Sequence, residues 1–237
     1  MVESCHGKTL PRIIFPILKH KLNLMVRHIR DPISSLSHLV GAILSIIGLY
    51  LLLNRNIAGD TVYHTISFSV FGIAMIILYS TSALYHWLPS TNKYLPLLRK
   101  IDHIMIFVFI AASNTPICLV SIRGGWGWSI FASVWAITVG GFIFKLFWMN
   151  APRFLYTSIY LLMGWMIVIG IYPLTKVMQM QGIMLLTFGG ILYSIGAVIY
   201  ASKKPNPLPG TFGFHEIFHL FIMAGSLSHY LMMYYYV

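Results

Sequence analysis

A few side chains in this sequence have the types and spacing to do chemistry. His215 and His219 stand four apart, so on a helix they share one face, a turn apart. His86 has Ser82 four residues before it and offers a third imidazole from a different segment. Three imidazoles and a water form the ligand set of a catalytic zinc site with an open position. Such an ion lowers the pKa of its water to about 7 and polarises a carbonyl. Asp102 is the candidate to orient or deprotonate that water. Ser82 is the candidate to support the site or to help hold an oxyanion. The alternative is a polar contact without metal, because histidines in membranes also hydrogen-bond between helices.

Each of these residues lies in or beside strongly apolar sequence. The 237-residue chain is 58% hydrophobic and only 9% charged, with a mean hydropathy of +0.79. That composition indicates a polytopic membrane protein, and long apolar runs without strict alternation point to helices rather than a β-barrel. A window of about 20 residues finds seven spans, near 35–53, 62–86, 101–121, 127–148, 153–174, 181–201 and 214–237. The predicted fold is an all-α bundle of seven transmembrane helices over 35–237, preceded by a basic segment at 1–34. The loops leave no room for a soluble domain, so any activity must reside in the bundle. The first apolar run is too long for a signal-peptide core and reads as a span. Cys5 and Cys118 are not expected to form a disulfide or a metal site.

The net charge of +11 is distributed by loop. Thirteen Lys and Arg residues lie in the N-terminal segment and around loops 2–3, 4–5 and 6–7, whereas only Arg55, Arg123 and Lys176 lie on the other side. The positive-inside rule then puts the N-terminus in the cytoplasm and the C-terminus outside. The charge therefore reads as topogenic, and no nucleic-acid partner is expected. His86 ends span 2, Asp102 is expected to open span 3, and His215 and His219 open span 7. An even number of crossings separates the starts of spans 3 and 7. All four residues therefore belong to one leaflet, whichever way the protein is oriented.

Other polar residues have plainer readings. The N-terminal stretch up to Arg30 is either a helix lying on the inner leaflet or a topogenic basic tail. His38, after Ser34, Ser35 and Ser37, either supports the site from span 1 or makes a polar interface. His103 points about 100° away from Asp102 on a helix. Glu216 is expected to meet a basic loop residue or interfacial water. His229 lies roughly 15 Å beyond His219 by helical rise and reads as structural. Pro116, with Asn114, marks a kink or cavity edge in span 3. Pro89, Pro152 and PNPLPG at 205–210 punctuate the loops.

The strings SALYHWLP (82–89), LLRKIDHIMIFVFIAASNTPI (97–117) and FGFHEIFHLFIMAGSLSHY (212–230) resemble the hemolysin III proteins. Those belong with the progestin and adipoQ receptors, a superfamily that includes the adiponectin receptors. The resemblance covers all seven spans. It implies a seven-helix bundle with the N-terminus inside and zinc near the cytoplasmic side. The ligands would be His86, His215 and His219, Asp102 would contact the metal's water, and Ser82 would lie beside it. The family usually begins span 1 with an acidic residue, then Asn and a hydroxyl residue before His. Here Asp31 and Ser34 stand in the first two places, so the hydrogen bond that Asn makes is expected to be weaker or water-mediated. The compact loops look like the bacterial branch, which implies the inner membrane.

The leading functional expectation is a Zn²⁺-dependent hydrolase of a lipid amide or ester, or a factor in membrane-lipid homeostasis, with membrane lipids as partners. The rival is a non-enzymatic sensor, receptor or pore-forming cytolysin in which zinc only ties helices together. No ring of charges marks a pore. A proton transporter using Asp102 would lack a second acidic relay.

Overall fold

In the computed structural model the described residues are 29–55 and 62–237. They form eight α-helices: α1 (Pro32–Leu53), α2 (Val62–Trp87), α3 (Leu95–Pro116), α4 (Gly125–Phe147), α5 (Arg153–Trp165), α6 (Ile171–Val177), α7 (Met180–Ser202) and α8 (Phe214–Tyr236). A π-helical turn, Ile117–Ser121, extends α3, and a 3₁₀ turn, Met166–Gly170, joins α5 to α6. Among the described residues this makes seven segments long and apolar enough to cross a membrane, as the hydropathy predicts. The basic segment up to residue 28, including Cys5, lies outside the described residues.

Two spans start three or more residues earlier than expected. The first span begins at Pro32 rather than 35, because Pro at the first helical position is pre-set for helix and needs no N–H partner. The third begins at Leu95 with Pro96 in its first turn, not at 101. Asp102 therefore does not open that helix but lies about two turns inside it. The hydropathy window missed these turns because Arg99 and Lys100 dilute them.

α3 is the central helix, with 72% of its apolar window buried, more than any other span. It packs on α2 and α4; α1 packs on α2 and α8; α7 lies along α8. α2 and α3 supply much of the core, including Phe68, Phe71, Phe107 and Phe109, with Met232 and Met233 from α8. The π turn follows Pro116 directly, where the missing N–H breaks the helical ladder. Gly127 of α4 sits against the Cys118 carbonyl of that turn, where a Cβ would overlap the backbone. The π turn thus fits tightly against α4. Cys118 is a free thiol, fully buried.

Candidate metal centre

The end of α2 and the start of α8 meet at one end of the bundle. His86 Nε2 lies 3.1 Å from His215 Nε2. The His86 ring centroid is 5.0 Å from that of His219, and the His215 and His219 rings are 4.5 Å apart. One nitrogen from each of the three lies within 4.8 Å of the others. Two nitrogens bound tetrahedrally to zinc at about 2.0–2.1 Å would stand roughly 3.3 Å apart, close to the His86–His215 separation.

Hydrogen bonding around the rings fits a cation. His86 Nδ1 is 2.9 Å from Asp31 Oδ2, so Nδ1–H donates to the carboxylate and Nε2 presents its lone pair to the cluster. A carboxylate behind a histidine in this way is the usual outer support of a metal ligand. Arg30 Nε donates to the same Oδ2 at 2.8 Å. Burial alone would raise the Asp31 carboxyl. The bonds from His86 and Arg30, with the charge of the guanidinium, outweigh burial and hold it at about 2, against an ordinary 3.8. The Asp31 amide also donates to the His86 carbonyl, which fixes the start of α1 on the end of α2. His219 is buried, and its ring bonds the Ser34 backbone carbonyl. The donor set, three imidazoles backed by a carboxylate, suits zinc.

The residues expected at the site have these places. Ser82 hydrogen-bonds Asp102 across α2 and α3, and both face the cavity that the histidines line. His38 lies closer than a polar interface alone requires: its ring stacks on His219 with centroids 3.7 Å apart and planes 8° from parallel. Its edge contact is with Tyr79, 5.0 Å away, and both its nitrogens are buried without partners. His103 turns its Nδ1 to the Arg99 carbonyl, as the 100° offset predicts. His229 bonds the Leu186 carbonyl through Nε2 and ties α8 to α7.

The basic loop partner expected for Glu216 is not found among the described residues; its carboxylate accepts from the Ser34 hydroxyl at 2.9 Å and from the Gly213 amide at 2.8 Å. Its carboxylate caps the start of α8 and joins it to α1. Ser34 thus bonds a side chain of α8 directly. Sequence reasoning did not assign Asp31 or Arg30 to the site. Asp before Pro reads as a helix cap, yet the Asp31 side chain makes no cap bond. The available signal was its leaflet, which parity shares with His86.

The cavity beyond the histidines holds about 580 Å³ and runs between α2, α3, α5, α7 and α8. Its walls are largely apolar, with Phe109, Ile117, Ile167, Val168 and Leu186 among them. Such a volume suits a small molecule or a lipid chain.

Similarity to known proteins was found at the level of sequence. The family described as "Haemolysin-III related" matches residues 26–230. "Hemolysin-3" of Bacillus cereus is 35% identical over 223 residues, which is 93% of this chain and 98% of the relative. "Hemolysin-3 homolog" of Bacillus subtilis (strain 168) is 35% identical over 195 residues, covering 82% of this chain and 88% of the relative. Human "Monocyte to macrophage differentiation factor" is 24% identical over 178 residues, 72% of this chain and 70% of the relative. No solved structure matches the chain.

Proposed function

Because the chain belongs to the haemolysin-III-related family of integral membrane proteins, we propose that His86, His215 and His219 hold a zinc ion and that the protein hydrolyses an amide or ester bond of a membrane lipid there. The observation that carries this reading is the convergence of three imidazole nitrogens within 4.8 Å at the head of an apolar cavity. In the same reading the N-terminus is cytoplasmic and the membrane is the bacterial inner membrane.

Zinc held there supplies Lewis acidity toward a carbonyl oxygen and makes a water acidic enough to deprotonate near neutral pH. The chain's own groups supply the rest. Asp31 fixes the tautomer and plane of His86, and the His38 ring holds that of His219. Asp102, bonded to Ser82 on the cavity wall, takes the proton from the attacking water and returns it to the leaving amine or alcohol. The Ser82 hydroxyl keeps the Asp102 carboxylate aimed into the cavity. The apolar walls take the acyl chain and keep bulk water from the carbonyl.

The test is metal content and turnover of the purified protein. Loss of about one zinc equivalent in His219→Ala is expected, together with loss of hydrolysis across a panel of ceramides and lysolipids. Wild-type protein that holds zinc yet turns over none of the panel would refute the hydrolase.

The names of the two Bacillus relatives favour a second reading, lysis by a pore with a structural zinc. Dye release from liposomes that is unaffected by His86→Ala would support it.

A further inference from the structure

The cavity wall carries charge that the metal site does not use. Three carboxylates line the cavity, and each has a partner: Asp31 has Arg30 and His86, Glu216 has Ser34 and the Gly213 amide, and Asp102 has Ser82. Arg99 and Arg153 line the same cavity, at the starts of α3 and α5. Among the described residues neither has a carboxylate within ion-pair distance.

Arg153 Nη1 is buried with no hydrogen-bond partner. Its guanidinium carbon lies 5.0 Å from the Tyr200 ring centroid and 5.6 Å from that of Phe214. The Tyr200 ring is in turn 5.9 Å from His215. The cation therefore sits one aromatic ring away from the histidine cluster. Behind the wall, Lys145 of α4 is fully buried, and its Nζ lies 3.5 Å from the Tyr156 ring centroid without a hydrogen-bond partner. The Tyr156 and Tyr200 hydroxyls, 3.2 Å apart, offer donors on the cavity side. The first turns of α3, α5 and α8 all lie at this end of the bundle, so their positive dipole ends add to the same field. Desolvated cations without counterions are costly, and an anionic ligand offsets that cost.

We propose that this wall is a binding site for a phosphate group, the headgroup of an anionic membrane lipid whose acyl chain fills the apolar cavity. Guanidinium forks match phosphate oxygens in geometry and charge. In a glycerophospholipid the phosphate and the acyl-ester carbonyl are only a few bonds apart, comparable with one ring between Arg153 and the histidines. The site thus names the substrate class of the proposed hydrolase. It rests on that reading only for what happens at the ester, because phosphate binding needs no metal.

The test is a native mass-spectrometry titration of the full chain in a non-ionic detergent. The probes are dioleoyl phosphatidylglycerol, dioleoylglycerol with the same chains and no phosphate, and inorganic phosphate. Phosphatidylglycerol is expected to bind at least about tenfold more tightly than dioleoylglycerol, and Arg153→Gln and Arg99→Gln each to weaken it about tenfold. Lys93→Gln and Lys204→Gln, exposed on loops outside the cavity, leave the preference unchanged if the wall rather than general surface charge is responsible. An unchanged unfolding midpoint of Arg153→Gln in detergent reports an intact fold, and Arg99 is exposed enough for its variant to fold in any case. Inorganic phosphate that displaces the lipid in an Arg153-dependent manner at similar concentration would assign the phosphate to a free ion; displacement only at much higher concentration assigns it to the headgroup. Equal binding of the two dioleoyl lipids, or a preference that survives both Arg variants, would overturn the proposal. His219→Ala separates the two readings: loss of zinc with the lipid preference intact leaves this inference standing by itself.

Discussion

Replacing Asp31 tests whether the cluster is a metal site more sharply than removing a histidine, because Asp31 touches no metal. Its Oδ2 accepts two bonds, from Arg30 Nε at 2.8 Å and His86 Nδ1 at 2.9 Å. Asparagine can place its amide oxygen where Oδ2 stands, so Asp31→Asn keeps the acceptor and loses the charge. Asp31→Ala loses both. Removing an outer-sphere partner of a metal-bound histidine typically costs about 10–100-fold in metal affinity. The Asp31 side chain is 39% exposed, so solvent screens its charge and places the Asn variant at the low end. The expected losses in zinc affinity are about tenfold for Asn, or ~1.4 kcal/mol, and near 100-fold for Ala, or ~2.7 kcal/mol. The folded pKa of Asp31 is depressed, so its contribution is full above about pH 3.8 and is lost only as pH falls through about 2. The Asn penalty should therefore be the same at about pH 6 and about pH 8. Chelator competition on purified protein measures the dissociation constants. Wild-type zinc affinity in Asp31→Ala would show that the carboxylate does not act through His86, and the assignment of Asp31 as the outer support of a metal ligand would fail.

Four further outcomes follow from particular contacts. Ser34→Ala removes the bond to Glu216 between α1 and α8 and should cost about 1 kcal/mol of stability, read as an unfolding midpoint in detergent. Gly189→Ala puts a Cβ into the His229 ring and breaks its bond to the Leu186 carbonyl. A loss of about 1–3 kcal/mol is expected by the same measurement, and His229→Ala in that background should recover part of it. Cys118, fully buried beside Gly127, should resist maleimide in the folded protein and label only on denaturation. Zinc at about 100 times its dissociation constant should stabilise the wild type by about 2.7 kcal/mol, and a His219→Ala protein not at all.

The bundle was legible because spanning a membrane forces about 20 apolar residues in a row, and seven such runs are hard to hide among 237 residues. His86, His215 and His219 were legible for the complementary reason: imidazoles inside apolar sequence demand partners, and four-residue spacing fixes a shared face. What the sequence hid was long-range pairing. Ser34 and Glu216 are 182 positions apart, and nothing in either local string says that a hydroxyl rather than a basic side chain meets the carboxylate. Arg99 and Arg153 were counted as topogenic charge, which conceals that they line the cavity. The start of α3 was displaced because a hydropathy average cannot separate an amphipathic first turn from a loop. The pairing of His38 with His219 needed the crossing of α1 and α8, which periodicity alone does not supply.

The three acids at the site also divide its work. Asp31 is held by a guanidinium and an imidazole, so taking a proton would break two charge-assisted bonds. Glu216 is spent on the Gly213 amide and Ser34, and protonating it would uncap α8 and loosen α1. Asp102 is held by the neutral Ser82 hydroxyl, and the imidazole beside it, His103, stands 3.9 Å away with its Nδ1 already given to the Arg99 carbonyl. A hydroxyl can donate to a carboxylate and accept from the protonated acid, so Asp102 can change protonation state with its partner in place. In the proposed hydrolysis the proton would therefore pass through Asp102, while Asp31 and Glu216 hold the ends of α2, α1 and α8 together.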